Sequence, residues 1–122
     1  MADGEATLRR RKALRRGWAA EYIAAIFLML KGYRILALRY KTKLGEIDII
    51  ARKGDLAVFV EVKARADEMG AVDAVSYASQ KLIRAASDLW LARQRDYVQL
   101  SQRYDIVAIM PGRLPRHFPD AF

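Results

Sequence analysis

The distribution of apolar and polar positions divides the chain into six segments. From Gly17 to Lys31, Ile23, Ile26, Phe27 and Leu30 recur at helical spacing with alanines on adjoining faces, and Gly32 follows as a stop signal. Tyr33 to Tyr40 reads as a first strand. Leu44–Arg52 and Leu56–Arg65 are rich in β-branched residues, and Lys53-Gly54-Asp55 between them predicts a hairpin turn. Asp67 to Ala74, with Gly70, is expected to be a loop. A second helix should begin near Ser76 or Ser79 and run to about Gln94, with Leu82, Ile83, Ala86, Leu89 and Trp90 as its core stripe. Arg103 to Met110 predicts a fourth strand, and the proline-containing tail to Phe122 should lie against the surface. The order helix, three strands, helix, strand predicts an α/β domain: a mixed central sheet flanked by helices. Residues 1–16 read as a basic arm, and residues 17–122 as one domain.

Alternation then sharpens the chemistry. Within the hairpin, Glu46, Asp48 and Ile50 should share one face, opposite Ile47 and Ile49. Phe59, Glu61 and Lys63 should share a face of the next strand, so that Asp48, Glu61 and Lys63 converge. Ionisable groups in strands this apolar are costly to bury unless they pair or bind a cation. Two readings are open: a metal-binding set, or a Glu61–Lys63 ion pair on a surface edge strand. Glu21 is the one charged residue between Arg16 and Lys31. It either snorkels to the helix edge, meets a basic residue, or joins a polar site beneath the helix.

Composition narrows the choice. The chain has 122 residues, no cysteine and one histidine, His117, so thiolate and multi-histidine metal sites are excluded. The absence of cysteine also suits a reducing cytoplasm. Any metal must use oxygen ligands, which points to Mg²⁺ or Mn²⁺. Asp48 and Glu61 would be the ligands, with the Val62 main-chain carbonyl a third, and Lys63 would orient or activate a water. The net charge of +8 favours a polyanionic partner. Arg34, Arg39, Lys41, Lys43 and Arg65 are candidates for a phosphate track, although each alone reads as an ordinary solvated charge. Trp18, Tyr77, Trp90 and Tyr104 are candidates for stacking on bases, with core packing the simpler reading. His117 reads as structural. The basic run before Trp18–Leu30 superficially resembles a signal peptide. Glu21 interrupts it, no small-residue cleavage site follows, and it is shorter than the ~20 residues that span a bilayer. No membrane association is therefore expected. A surface adaptor using the basic arm and Trp18–Leu30 is the membrane alternative.

The segments Gly45-Glu46-Ile47-Asp48-Ile49-Ile50-Ala51 and Val58-Phe59-Val60-Glu61-Val62-Lys63-Ala64-Arg65 resemble the hallmark motifs of the YraN-like bacterial family. The likeness extends to Gly17, Glu21 and Ala24, Gly32-Tyr33, Gln80-Lys81, Arg103-Tyr104-Asp105 and Asp120-Ala121-Phe122. That family is similar in turn to the PD-(D/E)xK restriction-endonuclease-like fold, and especially to archaeal Holliday-junction resolvases. The resemblance implies a metal-dependent endonuclease with Asp48, Glu61 and Lys63 as its core triad and Glu21 as a helix-borne acid. It also implies Gln80 as a polar helix residue near the site and Lys81 as a phosphate contact. Ile47 stands where the name-giving proline would precede Asp48. DNA, branched DNA in particular, is the implied substrate, and dimerisation follows only by analogy with resolvases that cut two strands. The alternative is a non-catalytic nucleic-acid-binding module of the same fold, since fold alone does not settle function.

Overall fold

A computed structural model describes residues 2–65, 70 and 75–122, with side chains of the first helix described at positions 4, 7 and from 17 onward. The expected loop 67–74 falls outside these residues, apart from Gly70. The first helix, α1, spans Ala2–Leu30, so helical backbone begins well before Gly17. Ala, Leu, Glu, Arg and Lys dominate this early stretch, and all are strong helix formers. The helix ends in a Schellman motif. Gly32 N–H donates to Met29 O and Tyr33 N–H to Leu28 O, each at 3.0 Å, with Gly32 at φ +94°. Tyr33 and Leu28 then pack in the same core cluster, the hydrophobic contact that accompanies this cap.

Strands β1 (Arg34–Lys41), β2 (Glu46–Lys53), β3 (Leu56–Ala64), β4 (Ser101–Ile109) and β5 (Arg116–Phe118) form one sheet in sequential order. The β3–β4 pair is parallel and the other pairs are antiparallel. The β2–β3 turn closes at the pair Lys53↔Leu56, and Gly54 takes φ +60° in this two-residue loop. Helix α2, Tyr77–Ala92, makes the crossover that a parallel β3–β4 pair requires. Its N-cap is Ser76, whose hydroxyl accepts from Ser79 N–H at 3.1 Å. The tail forms β5, a short strand absent from the expected elements, and lies against β4. This is the expected α/β class, consistent with a restriction-endonuclease-like fold.

Each face of the sheet buries its own core. On one, Ile83, Ala86 and Trp90 of α2 cover Ile47, Ile50, Phe59, Tyr104 and Ile106. On the other, Ala24, Ala25 and Leu28 of α1 cover Ile49, Ala51, Val58, Val60 and Val107. Three expectations are revised. Leu82 and Leu89 flank the buried stripe of α2 and are exposed, because Ile83, Ala86, Ser87 and Trp90 occupy its i, i+3, i+4, i+7 positions. In α1 the inward face is Ala20, Ala24, Ala25 and Leu28, while Ile23, Ile26 and Leu30 face out. Small residues let the helix lie close on a sheet whose own Ile and Val side chains fill the space between. Finally, the alternation in β2 breaks at Asp48, since Ile47 and Ile50 share one cluster and Ile49 belongs to the other.

Candidate active site

That break creates the site. The β2–β3 ladder runs from Lys53↔Leu56 to Ile49↔Val60 and stops there. Beyond it the Asp48 carboxylate, rather than a main-chain carbonyl, accepts from Val62 N–H, through Oδ2 at 2.9 Å. The side chain thereby satisfies a strand donor that would otherwise be orphaned, and it is drawn across to β3 beside Glu61. The two carboxyls line the same cleft, close enough for each charge to act on the other. Lys63, two residues along the same strand, places Nζ 3.7 Å from Glu61 Oε1, with side chains only 23% and 16% exposed. Because β3 lies between β2 and β4, this is no edge-strand surface pair.

Burial, followed by the proximity of Asp48, pushes the Glu61 carboxyl up to about 8, against the weaker opposing pull of Lys63. At neutral pH the Asp48–Glu61 pair therefore holds a proton. Glu46, Asp48 and Glu61 line a cleft of about 250 Å³ with Ser79, Leu82 and Ile83 of α2. Gly45 lets α2 approach this closely: a Cβ there would stand 2.6 Å from Leu82 O.

Glu21 meets a basic residue. Arg39 Nε donates to its Oε2 at 2.5 Å, and the Arg39 guanidinium also lies 4.7 Å from the Trp18 ring centre. Burial raises the Glu21 pKa, the Arg39 hydrogen bond lowers it, and the charges of Asp48 and Glu46 raise it, with a net upward shift. Glu21 is thus within electrostatic reach of Asp48 and Glu46. Arg39 itself has φ +54°, a left-handed conformation unusual for a strand residue. Its place in the register, between Leu38↔Ile49 and Tyr40↔Ile47, falls opposite Asp48.

The site thus gathers Asp48, Glu61, Lys63, the Val62 backbone and, more loosely, Glu21. Gln80 stands apart from the cleft lining, its amide donating to Val75 O at 3.2 Å, while Ser79 beside it faces the cleft. Lys81 lies over the Tyr77 ring. Arg34, Lys43 and Arg65 are exposed in three separate clefts: beside the β2–β3 turn, beside the β1–β2 turn, and between α1 and the segment after β4. Arg39, Glu46 and Ser79 complete the surroundings of the site. Glu46 was visible through its shared parity with Asp48, whereas the Arg39–Glu21 pairing depends on strand placement that no local pattern encodes.

The donor set suits a hard divalent cation: two carboxylates in one cleft retain a proton that such an ion would displace. Among the described residues, no three His, Cys, Asp or Glu side chains stand close enough to hold a metal by themselves. Main-chain oxygen and water would complete the shell, as Mg²⁺ commonly allows. No helix among them is long and apolar enough to cross a membrane.

Comparison with known proteins places the chain. Residues 20–109 match the uncharacterised protein family UPF0102, a span that includes both strand motifs and α2. A UPF0102 protein of Rhizobium leguminosarum bv. trifolii is 79% identical over 122 residues, the full length of both chains. One from Sinorhizobium fredii is 67% identical over 114 residues, 93% of each chain. Another from Agrobacterium fabrum is 64% identical over 120 residues, 98% of each. The chain belongs to the UPF0102, or YraN-like, family.

Proposed function

We propose that this protein is a divalent-metal-dependent nuclease that hydrolyses phosphodiester bonds in DNA. The observation that carries the reading is the convergence of half-buried Asp48 and Glu61 on one cleft, with Lys63 Nζ 3.7 Å from Glu61 Oε1. Asp48, Glu61 and the Val62 main-chain carbonyl would hold Mg²⁺ or Mn²⁺, which would neutralise the scissile phosphate and lower the pKa of an attacking water. Lys63, already anchored near Glu61, positions that water or offsets the charge that develops on phosphorus. Glu21 adds a third acidic group, with Arg39 fixing its rotamer. The net charge of +8 supplies the long-range attraction to a polyanion, and Arg34, Lys43, Arg65 and Lys81 are its candidate phosphate contacts. Cutting both strands of a branched substrate would take two copies of the chain, and the cysteine-free composition suits the cytoplasm.

The test is Mn²⁺-dependent cleavage across single-stranded, duplex, flap and four-way-junction DNA by the wild type, Asp48→Ala and Glu61→Ala. We expect cleavage of at least one substrate by the wild type and its loss, by 100-fold or more in order of magnitude, in both variants. No cleavage of any substrate overturns the reading. The Glu21–Arg39 ion pair favours a second reading, a non-catalytic nucleic-acid-binding module, because it already compensates an acid that a nuclease would use. That reading expects salt-sensitive DNA binding that survives both substitutions.

A further inference from the structure

The outward face of α1 carries large side chains where a solvated helix would carry charges. Trp18, Tyr22, Ile26 and Met29 follow one another at spacings of four, four and three, and are 45%, 61%, 57% and 58% exposed. At the Trp18 end this stripe opens into a cleft of about 260 Å³ lined by Trp18, Glu21, Tyr22, Leu38 and Arg39. The volume is slightly below the ~300–1,000 Å³ typical of small-molecule pockets. It has room for one flat ring system.

Three features indicate the occupant. The cleft adjoins the carboxylate site: Glu21 lines it and feels the Asp48 charge. Arg39, which also lines it, sits opposite Asp48, and neighbouring strands lie only ~4.8 Å apart. The cleft on the α1 side therefore stands one strand spacing from the Asp48 backbone, while Glu61 faces α2. The walls are two aromatic rings and a guanidinium, surfaces on which nucleobases stack irrespective of sequence. The charge is complementary as well, since α1 reaches Trp18 through Arg9, Arg10, Arg11, Lys12, Arg15 and Arg16.

We propose that the Trp18–Tyr22–Arg39 cleft, one strand away from Asp48, receives one unpaired nucleobase, so that the preferred substrate is single-stranded DNA or the splayed strand at a branch point. A base inside duplex DNA has both faces covered by its neighbours and gains nothing from these rings; a splayed base gains a stacking surface. The proposal rests on the nuclease reading for the role of the adjoining carboxylates, but base capture itself needs no metal.

The experiment therefore uses the full chain in EDTA, where the metal-site reading can fail without affecting the result. The probe is a single-stranded oligonucleotide carrying one 2-aminopurine, compared with the same label inside a duplex. Wild type should quench the single-stranded label and bind it more tightly than the duplex. Trp18→Ala should abolish quenching and weaken single-strand binding about tenfold, while Trp18→Phe largely retains both. Tyr22→Ala should give a smaller loss in the same direction, and duplex affinity should change less than twofold in every variant. Equal losses for single strand and duplex would overturn the proposal, as would unchanged binding and quenching in Trp18→Ala. Conversion of a dimer to a monomer by Trp18→Ala, with single-strand affinity preserved, would also overturn it and mark the stripe as a contact between copies.

Discussion

Two carboxylates of this sheet, buried Asp105 and half-buried Glu61, lie on opposite faces and in opposite electrostatic situations. Asp105, on the α1 side, is fully buried and fully compensated. Arg103 reaches its two oxygens at 2.8 and 2.7 Å, His117 Nε2 lies 2.6 Å away, and Asp120 N–H donates at 3.0 Å. Burial alone would raise its pKa, but His117, Arg103 and the Asp120 amide outweigh burial and lower it. Glu61, on the α2 side, has one lysine 3.7 Å away and another carboxylate in the same cleft, and is pushed up to about 8. A buried carboxylate that already has a cation and its hydrogen-bond donors serves to hold the fold. One that lacks them is the group to which the proposed function assigns a cation from solution.

Removing each acid should therefore have opposite consequences. Asp105→Ala leaves Arg103 and His117 facing a buried gap and should cost about 3–5 kcal/mol of stability, read from the denaturant midpoint. It should also release the tail, since Asp105 holds both His117 and the Asp120 amide. Glu61→Gln should stabilise the metal-free protein at pH 8, by on the order of 4 kcal/mol, and make no difference at pH 4. The sign follows from proton counting. Between about 4.5 and 8 the unfolded chain has released the Glu61 proton and the folded chain retains it, so wild-type stability falls as pH rises through that window. The Asp105 contribution has the reverse sense: present above the unfolded pKa near 3.8, and lost as pH falls through its lower folded value. Destabilisation by Glu61→Gln at pH 8 would erase the distinction between the two sites.

Smaller substitutions refine it. Gly45→Ala drives a Cβ toward Leu82 O and should cost about 1–2 kcal/mol, while weakening Mn²⁺ binding by displacing α2 from the cleft. Ser76→Ala removes the α2 N-cap and should cost about 1 kcal/mol with metal affinity unchanged, as measured by urea unfolding and calorimetry. An equal effect of the two on metal affinity would mean that the closeness of Gly45 to α2 does not shape the site.

The strands and their acids were readable because a two-residue period and a Lys-Gly-Asp turn are local signals. Asp48, Glu61 and Lys63 follow from parity, even though the parity of β2 breaks at Asp48, where the carboxylate takes up the Val62 amide. The inward face of α1 was not readable. A helix apolar nearly all round has no polar side to mark the outside, and alanine faces the sheet because of backbone approach, not hydrophobicity. The partners of Glu21 and His117 were also hidden. Arg39 is 18 residues from Glu21, and Asp105 is 12 from His117, so only the assembled sheet brings them together.

The central claim is that Asp48 and Glu61 hold a proton that a divalent cation displaces. Calorimetric titration of the metal-free protein with Mn²⁺ at pH 7, in buffers of different protonation enthalpy, tests it most directly. The account predicts binding with release of about one proton per ion, affinity that falls about tenfold per unit as pH decreases below 7, and loss of binding in Asp48→Ala and Glu61→Gln. Absence of binding, binding without proton release, or binding that either substitution leaves intact would contradict it.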